Sequence, residues 1–232
     1  MQKTFSIIFS LLLTLFFIAA FPAAGRAQLP ESAASAVRLS TDYVIESNIT
    51  YLTANNWEAK LDVYLPRNLK APNPTLVYIH GGGWVTGTKE AASLQVLPWL
   101  EMGWTVVNVE YRLGKNSLAP AAVEDCRCAL RWVIRNAKQY NFDVNKIVLT
   151  GHSAGGHLAL ITGMLPSAAG LDRQCLGSFS KPPDAASDEL KAAAIVNWFG
   201  ITDVGDLFNS PNAQGYAIAW FGSLTNRDEI AR

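Results

Sequence analysis

The chain has 232 residues, 19 basic and 19 acidic side chains, and a formal charge of zero; half of its residues are hydrophobic and a tenth aromatic. That is ample for a sizeable buried core. With no basic stripe and no basic patch interleaved with aromatics, nucleic acid is excluded as the expected partner.

Residues 1–27 read as a secretory signal. Lys3 gives a positive start, Phe5 to Ala20 is an apolar run broken only by Ser6, Ser10 and Thr14, and Gly25-Arg26-Ala27 offers small residues for cleavage after Ala27. The competing reading is an N-terminal anchor, since the run is near bilayer-spanning length. Removal of the signal leaves a slightly acidic chain with no other segment apolar enough to stay in a membrane. The expected location is secreted or periplasmic. Residues 28–43, rich in Ser and Ala, read as a loose linker, and residues 44–232 as one domain without internal repeats.

Val44–Tyr51 and Leu61–Tyr64 read as paired strands around Ala54-Asn55-Asn56, and the proline-rich stretch 66–74 as a loop. Thr75–Ile79 is a buried strand that runs straight into His80-Gly81-Gly82-Gly83-Trp84. Three consecutive glycines are entropically costly. Their use is to bring backbone N–H groups close to a ligand, as an oxyanion hole requires. Glu90–Met102 reads as a helix ended by Gly103, Thr105–Val109 as a buried strand, and Pro120–Ala137 as a helix with one apolar face. Lys146–Thr150 is the next strand. Gly151-His152-Ser153-Ala154-Gly155 follows, then a helix over 155–164. Residues 166–190 are a polar excursion, and Ala192–Trp198 is a further strand. Strands alternating with helices predict an α/β fold: a mostly parallel sheet with helices on both faces.

G-x-S-x-G between a strand and a helix is the nucleophile elbow, in which small neighbours let a serine sit in a sharp, exposed turn. On the elbow alone, a strand–helix turn with a serine cap is the bland alternative; the glycine loop some 70 residues earlier makes chemistry the better reading. Together these two segments resemble the α/β-hydrolase fold, in particular esterases and lipases with an HGGG oxyanion loop. Within that group the chain is most similar to secreted bacterial carbohydrate esterases of the feruloyl- and acetyl-esterase type, near the hormone-sensitive-lipase group. Asn108–Leu113, Val123–Val133, Phe142–Ile147 and Trp198–Asp203 fit the same resemblance.

The resemblance implies Ser153 as nucleophile, with the N–H groups of Gly82, Gly83 and Ala154 as oxyanion donors and His80 as a brace of the loop. It implies no cofactor or metal, and a small-molecule or carbohydrate ester as substrate. Oligomeric state is not legible. Trp84 either walls the acyl pocket or packs. Asp203 reads as a loop or capping residue, and Glu110, Tyr111 and Arg112 as an ion pair or hydrogen-bonded brace.

Two departures stand against this: after the elbow there is no Asp-bearing strand end and no His-bearing loop. The family order is Ser, then Asp or Glu, then His. The only histidines are His80, His152 and His157, none after residue 157. His157, one turn into the elbow helix, is expected to pack against the sheet. The expectation is a C-terminally truncated hydrolase whose last strands and helices are missing, probed against a non-catalytic remnant or binding protein, and against a serine peptidase. Such a chain leaves strand 192–198 as an open sheet edge, and the stretch Asp228–Arg232 reads as helical. Of three cysteines, Cys126 and Cys128 diverge on one helix; either could meet Cys175, but buried or idle thiols are the preferred reading.

Overall fold

A computed structural model describes residues 30–175, 190–209 and 211–222; the signal segment 1–27 and the Asp228–Arg232 stretch lie outside them. The chain divides into two compact units, with the boundary after Val37, and the sheet lies in the second.

Six strands form one mixed sheet in the order β1-β2-β4-β3-β5-β6. They are β1 (Tyr43–Ala54), β2 (Trp57–Pro66), β3 (Asn73–Ile79), β4 (Thr105–Val109), β5 (Phe142–His152) and β6 (Ala194–Trp198). The β1–β2 hairpin turns at Asn55-Asn56, both at positive φ, and β2 runs antiparallel to β4. The β4–β3, β3–β5 and β5–β6 pairs are parallel, so the sheet is parallel where the two glycine motifs leave it.

Alternate side chains of the parallel strands feed two cores, as a pleated sheet covered on both faces requires. Val77, Ile79, Val107, Val109, Ile147 and Leu149 point into the larger one, under α3 (Ala121–Arg135) and α5 (Ala154–Met164). Leu76, Tyr78, Val106 and Val148 point into the smaller one, with Leu100 of α2 (Leu97–Glu101) and Leu39. Helices therefore lie on both faces. The element order is completed by α1 (Glu31–Asp42), α4 (Ala137–Tyr140) and α6 (Gly215–Phe221).

Three local readings change. The segment read as a loose linker contains α1, an Ala-rich stretch with Glu31 in its first turn, where an acid suits the helix dipole. The helix expected over Glu90–Met102 is split into a 3₁₀ turn at Glu90–Ala92 and the short α2. Pro98 explains the split, because proline fits only the first turn of a helix. The cysteines are not idle: Cys128 on α3 is joined to Cys175, leaving Cys126 as a buried free thiol. The single free thiol follows from the odd count; the choice of Cys128 follows from which face of α3 meets the Cys175 segment.

β6 is the last strand of the sheet among the described residues, and Trp198 at its end is half exposed. Among the described residues no helix is long and apolar enough to cross a membrane.

Candidate active site

The two glycine motifs leave the sheet side by side. β3 and β5 are neighbours in parallel register, with Ile79 opposite Gly151, so the loop starting at His80 and the turn at Ser153 emerge at the same end. The contact is close enough to dictate residue size. A β-carbon on Gly155 would collide with the Ile79 carbonyl oxygen and come within 2.6 Å of the His80 carbonyl oxygen.

Ser153 sits between the end of β5 and the start of α5 with φ 52° and ψ −123°. Positive φ in a residue bearing a β-carbon is strained by roughly 1–3 kcal/mol and persists only where the surroundings enforce it. Here they do. The Ser153 N–H donates to the Trp198 carbonyl at 3.0 Å, and the His157 N–H donates to the Ser153 carbonyl at 3.1 Å. The elbow thus hangs between β6 and the first turn of α5. Ala154 is the first residue of that helix, where a backbone N–H has no partner one turn back.

In the glycine loop, Gly82 has φ 123° and Gly83 φ 57°. The Gly82 carbonyl turns inward and accepts from Val85 N–H at 3.1 Å, Thr86 N–H at 3.0 Å and Thr86 Oγ1 at 3.0 Å. Among the described residues, the N–H groups of Gly82 and Gly83 find no backbone acceptor. The loop therefore presents donors beside a strained serine, with the helix N-terminus adding a favourable dipole for negative charge.

His80 is buried at the start of this loop. Its Nδ1 lies 2.8 Å from the Gly81 carbonyl oxygen, its ring stacks on Tyr111 at 4.3 Å, and Tyr111 Oη donates to its carbonyl at 3.0 Å. His152 lies on the other side of the loop, where a β-carbon on Gly81 would meet its ring. Tyr78 Oη is 2.8 Å from His152 Nδ1. Burial pushes the Tyr78 phenol up to about 12, and burial and the nearby His80 lower the His152 imidazole, so the phenol donates to a neutral ring.

His157 does not pack simply against the sheet. It stands edge-on to Trp84 and Trp220, which stack on each other at 4.4 Å, and burial drives its pKa down to about 4. Trp84, itself at φ 61° and fully buried, is a packing residue. Sequence reasoning did not find its partner Trp220, nor Tyr216, whose ring would meet a β-carbon on Gly83. The aromatic cluster in Gly215–Phe221 was the available signal. Asp203 Oδ1 accepts from Asp206 N–H at 3.2 Å, a capping contact.

Beside α5 an apolar cavity of about 810 Å³ is lined by Leu160, Ile161, Met164, Leu171, Val204 and Phe221, among others. Among the described residues no group of three His, Cys, Asp or Glu side chains could hold a metal ion.

The BD-FAE family model matches residues 61–232 of the chain. The chain belongs to the BD-FAE family. BD-FAE membership agrees with two relatives from Mycobacterium tuberculosis. Esterase LipC is 32% identical over 148 residues, covering 63% of this chain and 34% of LipC. Probable carboxylic ester hydrolase LipM is 32% identical over 137 residues, covering 56% of this chain and 31% of LipM. The chain spans about a third of the length of these relatives. Among solved structures, a thermophilic esterase from Thermogutta terrifontis with propionate bound is 28% identical with a TM-score of 0.53, covering 66% of this chain and 53% of that one. The fold of this BD-FAE chain is that of the α/β-hydrolase esterases.

Proposed function

We propose that the protein is a serine carboxylic-ester hydrolase that acts through an acyl-enzyme on Ser153. The observation that carries this is the pairing of a strained Ser153 with the unengaged N–H groups of Gly82 and Gly83 at the same end of the sheet. Ser153 Oγ attacks the ester carbonyl carbon as its proton passes to a general base, which returns it to the departing alcohol. The carbonyl oxygen, now an oxyanion, accepts from the N–H groups of Gly82, Gly83 and Ala154, and collapse expels the alcohol. Water then releases the acid. Each donor contributes about 3–4 kcal/mol to the barrier reduction.

The substrates we propose are short acyl or aromatic esters, including those on carbohydrate. Export to an oxidising compartment is part of the same proposal. It is supported by the signal-like residues 1–27 and by the Cys128–Cys175 disulfide, a bond that persists outside the cytosol.

The histidines favour a second reading for residues 28–232 taken alone, that of a binder with little turnover. His80, His152 and His157 are each engaged with partners other than Ser153. Imidazole supplied in solution separates the readings. Incubated with p-nitrophenyl acetate and imidazole, the protein should gain one acetyl group at Ser153 by mass spectrometry, and Ser153→Ala should gain none. Cleavage of peptides without acylation by the ester would make the hydrolase assignment wrong.

A further inference from the structure

The glycine loop is clamped at both ends by consecutive residues that follow β4. At its far end, Lys89 has every polar atom engaged. The Glu110 carboxylate accepts from Lys89 N–H at 2.7 Å, and the Lys89 carbonyl accepts from Asn108 Nδ2 at 2.7 Å. Lys89 Nζ, buried, donates to Asp62 on β2 at 2.9 Å and to Glu90 at 2.6 Å. At its near end, Tyr111 carries the His80 ring and bonds its carbonyl, and the second Glu110 oxygen lies 3.8 Å from His80 Nε2. His80 Nε2 is buried without a hydrogen-bond partner. One carboxylate therefore faces both ends of the span from His80 to Lys89. Between those ends, among the described residues, the backbone bonds are the two that the Gly82 carbonyl accepts and one from Gly114 N–H to the Trp84 carbonyl at 2.8 Å.

We infer that Glu110 is a positioning residue that sets the Gly82 and Gly83 N–H groups against the oxyanion. It never touches substrate. Its charge-assisted bond to Lys89 N–H fixes where the loop returns, and the adjacent Tyr111 holds His80 at the start. Three glycines cannot hold that shape alone, because each is free to leave it. The Asp62–Lys89 pair serves the same end by denying Lys89 any other place. This rests on the ester-hydrolase reading for its chemical consequence, and the loop geometry is tested apart from it.

The test compares wild type with Glu110→Ala and Glu110→Gln. Glutamine keeps an oxygen to accept from Lys89 N–H and gives up the charge. Two quantities are read: hydrogen exchange of the amides from Gly81 to Lys89, and the imidazole-assisted acylation of Ser153 by p-nitrophenyl acetate as a function of ester concentration. In Glu110→Ala, exchange in this span should rise on the order of tenfold while exchange in β5 and α5 stays unchanged. The maximal acylation rate should fall on the order of tenfold with half-saturation held within about twofold, since the donors act on the transition state. Glu110→Gln should recover most of both.

Unchanged loop exchange in Glu110→Ala overturns the inference. So does exchange that rises evenly across the molecule, or a glutamine variant as damaged as alanine. If wild type is never acylated at Ser153, the hydrolase reading fails, and loop exchange still decides whether Glu110 holds the loop.

Discussion

His157 stands edge-on to Trp84, with ring centroids 5.1 Å apart and planes at 80°. One residue lies a turn beyond the nucleophile on α5, and the other closes the glycine loop. Trp220 of α6 stacks under Trp84, so elbow helix, loop and α6 meet in three buried rings. Offset and edge-on arrangements of this kind contribute about 0.5–1.5 kcal/mol per pair beyond the area they bury.

That burial makes stability depend on pH. His157 is neutral in the folded protein because burial lowers its pKa from 6.5 to about 4. As pH falls below 6.5, the unfolded chain takes up a proton that the folded chain refuses. Stability therefore declines from pH 6.5 down to about 4, by on the order of 3 kcal/mol in all. Urea unfolding at pH 7 and pH 4.5 should show a larger acid loss in wild type than in His157→Gln. Equal losses in the two would mean that His157 is not the group responsible.

Gly82→Ala should disable the oxyanion loop while sparing the fold. With φ at 123°, a β-carbon there is strained and would collide with the Thr86 carbonyl. The loop must shift, and the turn that the Gly82 carbonyl organises goes with it. Acylation of Ser153 should fall by roughly 10²–10³, the cost of losing one oxyanion donor, with thermal unfolding moved by only a few degrees. A variant that keeps wild-type acylation would show that this turn does not hold the donors.

Reduction should destabilise the fold substantially. The Cys128–Cys175 bond closes a separation of 47 residues between α3 and the segment beyond α5. On the chain-entropy view that loop is worth about 4 kcal/mol. Cys128→Ser should match the reduced wild type in urea, and reductant should then add nothing. Cys126 is buried, which pushes its thiol up and keeps it unreactive, so one thiol should titrate only after unfolding.

Much of this architecture was legible from local signals. Short, nearly continuous apolar runs at 75–79 and 105–109, alternating along the chain with helical stretches, pointed to a parallel sheet, and the glycine motifs at strand ends pointed to the pairing of loop with elbow. The order of the strands was not legible, since β4 inserts between β2 and β3 by long-range contact alone. The Glu110–Lys89 bond escaped for the same reason: nothing in the spacing of 89 and 110 says that a side chain and a backbone N–H will meet. The Tyr-Arg pair after β4 read as an ion pair or brace, but its partner, Asp125 on α3, emerged only when Arg112 Nη2 was found 2.7 Å from that carboxylate.

The three histidines of residues 28–232 are engaged with partners other than Ser153. A serine hydroxyl reacts only when a neighbouring group takes its proton. His80 is 2% exposed and bonded to its own loop, and His152 has Nδ1 occupied by Tyr78. His157 stands edge-on to two stacked tryptophans and, with a pKa of about 4, is a weak base. Removing the base from a serine triad costs on the order of 10⁶ in turnover, as in the subtilisin case. Residues 28–232 should therefore label very slowly at Ser153 with a fluorophosphonate probe, and imidazole should accelerate the labelling. His152→Gln and His157→Gln should leave the slow rate within a few-fold, whereas His80→Gln, which removes the ring that braces the glycine loop, should lower it further. Fast labelling of the monomer without imidazole, abolished by one of these three substitutions, would identify that histidine as the base and overturn the prediction.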